Sequence, residues 1–213
     1  MSEVPAAVPA SRVIPANEYR RERWRNQLGW TRQIATGGRD EQDWDWRLSI
    51  AEIERDAAFS TFPGVMRELV LLRGHGLRLC FDDGQVFTLH PPHDRLRFSG
   101  ERSVRGELLD GPTHDFNLMW RPDVLEAELL LRPLVGPMLF FTDARTHWAI
   151  HLIGGQARFD AASGLPPLWS GDSALLYGTP GRTRYALEGG GELIAVKFIA
   201  REASEGPQYT SRR

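Results

Sequence analysis

One cysteine, Cys80, stands in a chain of 213 residues, so no internal disulfide can form and the reducing cytoplasm is the expected compartment. No apolar stretch approaches the ~20 residues that cross a bilayer as a helix. No N-terminal segment joins a basic region to the roughly 7 to 15 apolar residues of a secretory signal. Charge of neither sign is in excess: 26 Lys and Arg against 28 Asp and Glu leave a net −2. The arginines are scattered along the sequence, which speaks against nucleic acid and anionic membranes as partners.

The signatures of several chemistries are missing as well. There is no G-x-S-x-G elbow, and the glycine run 189–191 leads into a strand instead of opening a helix, so it reads as a flexible hairpin loop. Six histidines invite a metal. However, His147 and His151 lie in HWAIHLI, where strand spacing sets them roughly 13 Å apart. His90 and His93 flank Pro-Pro in a loop, and His75 sits between turn glycines. No metal and no cofactor are expected. Cys80, between apolar neighbours in LRLCFDD, reads as a buried, inert thiol.

What the sequence does carry is short alternating strands broken by Gly, Pro and Asp. They include WTRQIA, DWDWRLSIAEI, MRELVLLRG, GLRLCFD, QVFTLH, LRFSGE, HDFNLMW, MLFFTD, HWAIHLIGG, SALLYG and GELIAVKFIA. Many strands at even spacing predict an all-β sandwich or barrel with little helix. Asn17 is placed to cap one helical turn over EYRRERW. RPDVLEAELLLRPL is open between strand and a short helix capped by Asp123. The Pro- and Ala-rich residues 1–12 and the polar residues 202–213 are expected to be flexible tails around a folded body of 13–201. LLRGHGLRL at 71–79 and HLIGGQARF at 151–159 share a Gly-centred pattern, which suggests two related β units of roughly 13–120 and 121–201, with strands exchanged between them.

Two strands have unusual polar faces. In DWDWRLSIA, Trp44, Trp46, Leu48 and Ile50 point one way and Asp43, Asp45, Arg47 and Ser49 the other. In HDFNLMW, Asp115, Asn117 and Met119 oppose Phe116, Leu118 and Trp120. Trp44 and Trp46 are too large and apolar for a wet face, so their side should be core and the Arg47–Ser49 side should look into solvent or a cavity. A guanidinium, a hydroxyl, a carboxylate and an amide converging inside a β fold would bind a small polar molecule, with arginine as a fork for a carboxylate.

The blocks WRNQLGWTRQIA, DWDWRLSIAEIERDAAFSTFPGVMREL, LRFSGE and LLDGPTHDFNLMWR resemble, in order and spacing, those of the HutD/Ves family, over about residues 12–200. The resemblance implies a cupin-type fold with two cupin-like units in one chain. It further implies a small-molecule-binding regulator tied to histidine utilisation, with a carboxylate ligand such as urocanate or formylglutamate and no settled enzymatic activity. On these motifs the expected ligand-binding residues are Asn26, Thr31, Arg47, Ser49, Asp115 and Asn117, with no catalytic residue and no metal ligand. Two positions depart from the family pattern. Gln27 and Leu28 stand where W-[KR]-N-G-G-G-x-T has glycines, which should reshape a loop near the site. His114 replaces an arginine before Asp-x-Asn and makes a permanent charge titratable. The H-x-H, Glu and His metal pattern of cupins is absent from both halves.

Three functional classes follow: the binding protein, a metal-independent isomerase or hydrolase, and an interaction module using exposed aromatics. Against the enzyme, adjacent residues on a strand face opposite ways, so His114 and Asp115 do not converge on one substrate. A homodimer is compatible with all three.

Overall fold

The computed structural model describes residues 9–38, 43–178 and 181–201. The strands begin with β1 (Arg12–Ile14), β2 (Arg20–Arg23), β3 (Gly29–Gly38), β4 (Trp44–Ile53) and β5 (Ala57–Ala58). They continue with β6 (Met66–Arg73), β7 (Leu77–Phe81), β8 (Val86–Leu89), β9 (Arg95–Ser99), β10 (Val104–Leu108) and β11 (Thr113–Trp120). Then come β12 (Leu125–Val135), β13 (Met138–Thr142), β14 (Thr146–Phe159), β15 (Leu168–Trp169), β16 (Ser173–Leu176) and β17 (Thr183–Ala200). Helix among the described residues is limited to two 3-10 turns, Ala16–Glu18 and Ala161–Ser163. None is long and apolar enough to cross a membrane.

The strands form three antiparallel sheets, and no sheet closes on itself among the described residues. A six-stranded sheet in the order β2-β3-β4-β11-β6-β9 lies in the middle. On one side it packs Ala51, Ile53, Leu69 and Leu71 against Leu77, Leu79, Phe81 and Val104 of the four-stranded sheet β5-β10-β7-β8. On the other side it packs Trp46, Leu48, Ile50, Phe116 and Leu118 against Leu129, Ile194, Val196 and Phe198 of a seven-stranded sheet, β1-β16-β14-β17-β12 with β13 on β17 and β15 on β14. The central strands of the middle layer therefore bury both faces, which is why β6 reads MRELVLLR rather than as a clean alternation.

The expected helical turn over EYRRERW is not formed. Arg20–Arg23 is a fully exposed strand paired with Trp30–Gln33, and Asn17 caps nothing. Four charged residues offer no apolar stripe for a helix to bury, while pairing satisfies the backbone and sets Arg21 and Arg23 beside Glu52 and Glu54. RPDVLEAELLLRPL becomes β12, with Leu125, Ala127 and Leu129 buried at a period of two.

Two glycine readings are corrected. Residues 189–191 are no hairpin loop: they lie inside β17, opposite Gly155–Ala157 of β14. A Cβ on Gly191 or Gly155 would stand 2.0 Å from the facing carbonyl oxygen, so glycine is required by the close approach of two backbones. HLIGGQARF likewise runs through β14 with a register shift between Leu152 and Gly154, whereas LLRGHGLRL turns from β6 into β7. Cys80 is half-buried on the outer side of β7, because Leu77, Leu79 and Phe81 take the core side.

The tail expected over 1–12 is anchored at its end. Arg12 opens β1 against Leu175, and the Ser11 hydroxyl pairs with Tyr185 Oη at 2.8 Å and accepts from the Tyr177 amide. Residues 1–8 and 202–213 lie outside the described residues.

Candidate functional site

The face of β4 opposite its tryptophans carries Arg47, Ser49 and Ala51. Antiparallel register lines these up in rows across the sheet. Arg47 pairs with Met119 of β11, which pairs with Arg67 of β6. One row along, Ser49 pairs with Asn117, and the next row joins Thr31, Ala51 and Asp115. Side chains directly opposite share a face, so all of these point to the same side of the sheet.

Over the first two rows and the Thr31–Ala51 part of the third lies a cavity of about 570 Å³, within the range of small-molecule sites. Arg47, Ser49, Thr31, Asn117, Met119 and Arg67 line its floor. The segment after β5 forms a wall with Phe59, Ser60 and Phe62, and Glu22 to Asn26 form the mouth. Five of the six expected residues thus border one space: Asn26 at the exposed mouth, Thr31 and Arg47 half-buried, and Ser49 and Asn117 buried. Trp24 fixes Thr31 by donating from Nε1 to its hydroxyl at 2.9 Å, and packs edge-on against Phe59.

Asp115 is the exception. It is 0 % exposed and does not line the cavity, although Thr31 and Ala51 of its own row do; Leu71, its neighbour on the other side, is packed in the core against the four-stranded sheet. Thr113 donates to Oδ2 at 3.0 Å, and Oδ1 has no partner. Burial pushes this carboxyl up to about 8, so at neutral pH it is mostly a neutral acid. His114 points to the opposite face, and burial holds it below the ordinary histidine value.

Arg67 belongs to the site although sequence reasoning passed over it. It is 5 % exposed and donates from Nη2 to Asn117 Oδ1 at 2.9 Å and from Nη1 to the Ser60 carbonyl at 3.4 Å. The rings of Phe98, Phe59 and Phe62 surround it at 5.2, 5.4 and 5.9 Å. Burial, followed by repulsion from Arg47, brings its guanidinium down to about 10. Arg47 is also held below its ordinary value by burial. The Nε of each arginine is buried without a hydrogen-bond partner. Neither makes an ion pair with an acid among the described residues. The signal was present in the sequence: alternation through Arg67, Leu69 and Leu71 puts a charge on the core side of β6.

The mouth explains one departure from the family pattern. Gln27 adopts φ 59°, a left-handed conformation natural to glycine, within a turn closed by its amide on the Trp24 carbonyl. Gly29 is retained for a reason, since a Cβ there would lie 2.6 Å from the Glu52 carbonyl oxygen and against the Trp24 ring. Gln27→Gly should therefore stabilise the chain by about 1 kcal/mol. A urea titration giving an unchanged or lower midpoint would count against strain at this turn.

Among the described residues no three His, Cys, Asp or Glu side chains are placed to hold a metal ion. His147 and His151 lie in the interface between the middle and seven-stranded sheets, on one face of β14. His147 stacks on Phe198 and Tyr177, and His151 meets Ser173 Oγ at 3.1 Å and stacks on Phe116.

The HutD family model matches residues 16–195. An uncharacterised 21.2 kDa protein in the hutC 3′ region of Pseudomonas putida is 41% identical over 118 residues, 55% of this chain and 62% of that protein. The chain thus spans less than two thirds of that curated relative. The structure of HutD from Pseudomonas fluorescens SBW25 superposes with a TM-score of 0.78 at 27% identity, over 91% of this chain and all of that one. A conserved protein of unknown function from Pseudomonas aeruginosa PAO1 gives 0.75 at 28%, with the same coverage. More distant cupin-like structures at 8% identity share the fold alone.

Proposed function

Because the chain belongs to the HutD family, we propose that it is a small-molecule-binding regulatory protein that takes a carboxylate-bearing metabolite into the cavity on β4. The observation that carries this is the pair Arg47 and Arg67, both in the cavity wall, both desolvated, and neither in an ion pair with an acid among the described residues. A guanidinium with unused N–H donors in a partly dry site is stabilised most by a carboxylate, which accepts two parallel bonds from its fork. Ser49, Thr31 and Asn117 add neutral hydrogen-bonding groups beside it. The rings of Phe59, Phe62 and Trp24 suit the apolar body of the same ligand.

The position of the Pseudomonas putida relative beside hutC supports a role in histidine utilisation, with modulation of pathway flux as the outcome of binding. Urocanate and formylglutamate are the acids of that pathway to test. The pairing of β1 with β16 supports two cupin-like units, 13–120 and 121–201, that exchange strands. A metal-independent isomerase or hydrolase is less well served. The cavity lining has no histidine, and its carboxylate, Glu22, is held by Arg20 at 2.9 Å at the exposed rim.

Calorimetric titration with urocanate, formylglutamate and urocanamide tests the proposal. One of the acids should bind at one site per chain, with the amide at least about tenfold weaker because it cannot offer a charged fork. Equal binding of urocanamide, or no binding of either acid, would sink it.

A further inference from the structure

The two arginines stand on different strands, and one carboxylate can take the full fork of only one guanidinium. Arg47 and Arg67 lie on β4 and β6 with β11 between, which sets their Cα atoms roughly 10 Å apart at the spacing of neighbouring strands. Arg67 is not free to swing toward Arg47. Its head is tied back to Asn117 Oδ1 and the Ser60 carbonyl and enclosed by three phenylalanine rings. Those two bonds use two of its five N–H groups, and Nε stays buried and unpartnered. Arg47 also has a buried, unpartnered Nε, and it faces the Arg20–Glu22 pair at the mouth, whose charges act on it with opposite sign.

The cavity wall therefore holds two guanidiniums, one anchored and deep and one nearer the mouth; neither makes an ion pair among the described residues, and Glu22, which attracts Arg47, is already held by Arg20. Asp115, on the same face of the sheet but one row along, does not line the cavity and bonds to Thr113. A monocarboxylate on Arg67 would leave Arg47 desolvated with only the shared rim carboxylate of Glu22 near it, and the reverse would leave the more deeply buried charge unmatched. We infer that the ligand is a small dicarboxylate that spans the cavity, one carboxylate on Arg67 and the other on Arg47. This rests on the carboxylate proposal above and names its class more narrowly. One doubly charged group, such as phosphate, would require the two heads to converge, which the anchoring of Arg67 opposes.

The test uses the full chain and three pairs of probes that differ by one charge on the same skeleton: succinate, glutarate and adipate, each beside its monoamide. In calorimetric titration at least one diacid should bind about ten- to a hundredfold more tightly than its own monoamide. In Arg47→Gln, first shown to melt like the parent, that gap should fall to about threefold or less while the monoamide still binds, because the charge it distinguishes has been removed. Monoamides binding as well as every diacid would overturn the dicarboxylate inference and leave the single-carboxylate proposal standing. Inorganic phosphate binding as tightly as the best diacid would overturn it in favour of one doubly charged group. Failure of these acids together with urocanate and formylglutamate would remove both.

Discussion

Trp46→Ala should lower the stability of the chain by about 3 to 5 kcal/mol, whereas Arg47→Ala, its neighbour on β4, should leave the melting temperature unchanged or raise it. Trp46 is 3 % exposed, stacks on Phe198 at 4.7 Å and lies 5.8 Å from His147, so it ties the middle sheet to the seven-stranded one. Its removal leaves a cavity between two layers that cannot collapse onto each other, because Gly37, which faces the indole, has no side chain to fill the gap. Arg47 contributes in the opposite sense. It is desolvated and repels Arg67, and the attraction of Glu22 at the exposed rim offsets only part of this because Arg20 holds that carboxylate, so the loss of Arg47 relieves the free protein or leaves it unchanged. In the complex the same loss removes charge-assisted hydrogen bonds, and carboxylate binding should weaken about ten- to a hundredfold. Urea unfolding and calorimetric titration of both variants separate the two faces of one strand. Normal binding by Arg47→Ala together with a lower melting temperature would make the arginine structural and remove the site.

How far the sequence carries toward this picture depends on whether a signal is local. The alternation of DWDWRLSIA is local, and the structure places Trp46, Leu48 and Ile50 in the core between sheets and Arg47 and Ser49 in the cavity wall. HDFNLMW behaves in the same way for Asn117 and Met119. Position along a strand is a different matter. Asp115 and Asn117 share a face, yet Asp115, one row along, is sealed: Ala51 on one side of it still borders the cavity, while Leu71 on the other is packed against the four-stranded sheet. Nothing in seven residues says where a facing layer ends.

Arg67 shows the complementary gap. Its pattern was visible in MRELVLLRG, but its meaning required knowing that β6 and β4 flank the same strand, a pairing set by two long connections. Arginines scattered through the sequence become neighbours only through strand order. The glycines at 189–191 mark a limit of another kind, since flexibility and close backbone approach favour the same residue. Only the length of the paired strand β14 distinguishes them.

The stability of the chain should peak near pH 6.5, and Asp115→Asn should abolish the decline on the alkaline side. Burial holds His147 and His151 at about 4 in the fold, below the 6.5 of an unfolded histidine. Depressed values mean that the fold prefers both rings neutral. Their contribution is present above pH 6.5 and is lost as the pH falls toward 4, by up to roughly 3 kcal/mol each. Asp115 works the other way. Its carboxyl titrates at about 8 in the fold against 3.8 when unfolded, so the fold prefers it protonated. Stability associated with that proton is complete below about pH 4 and drains away as the pH rises to 8, by at most about 1.4 kcal/mol per unit. Between pH 4 and 6.5 the two histidines outweigh the one acid and stability climbs. Above 6.5 the unfolded histidines, His114 among them, lose their remaining protons, Asp115 comes to outweigh them, and stability falls until it too has ionised. Asparagine keeps the shape and can still pair with the Thr113 hydroxyl, but it has no proton to lose. Whatever the variant's stability at pH 5, its advantage over the parent should grow steadily up to pH 8, reaching on the order of 3 kcal/mol or more. Urea unfolding of both proteins across pH 5 to 8.5 measures that difference directly. A constant offset between the two curves would show that Asp115 is already ionised in the fold, with its unpartnered oxygen reaching a cation or water, and would return it to the list of groups a ligand could meet.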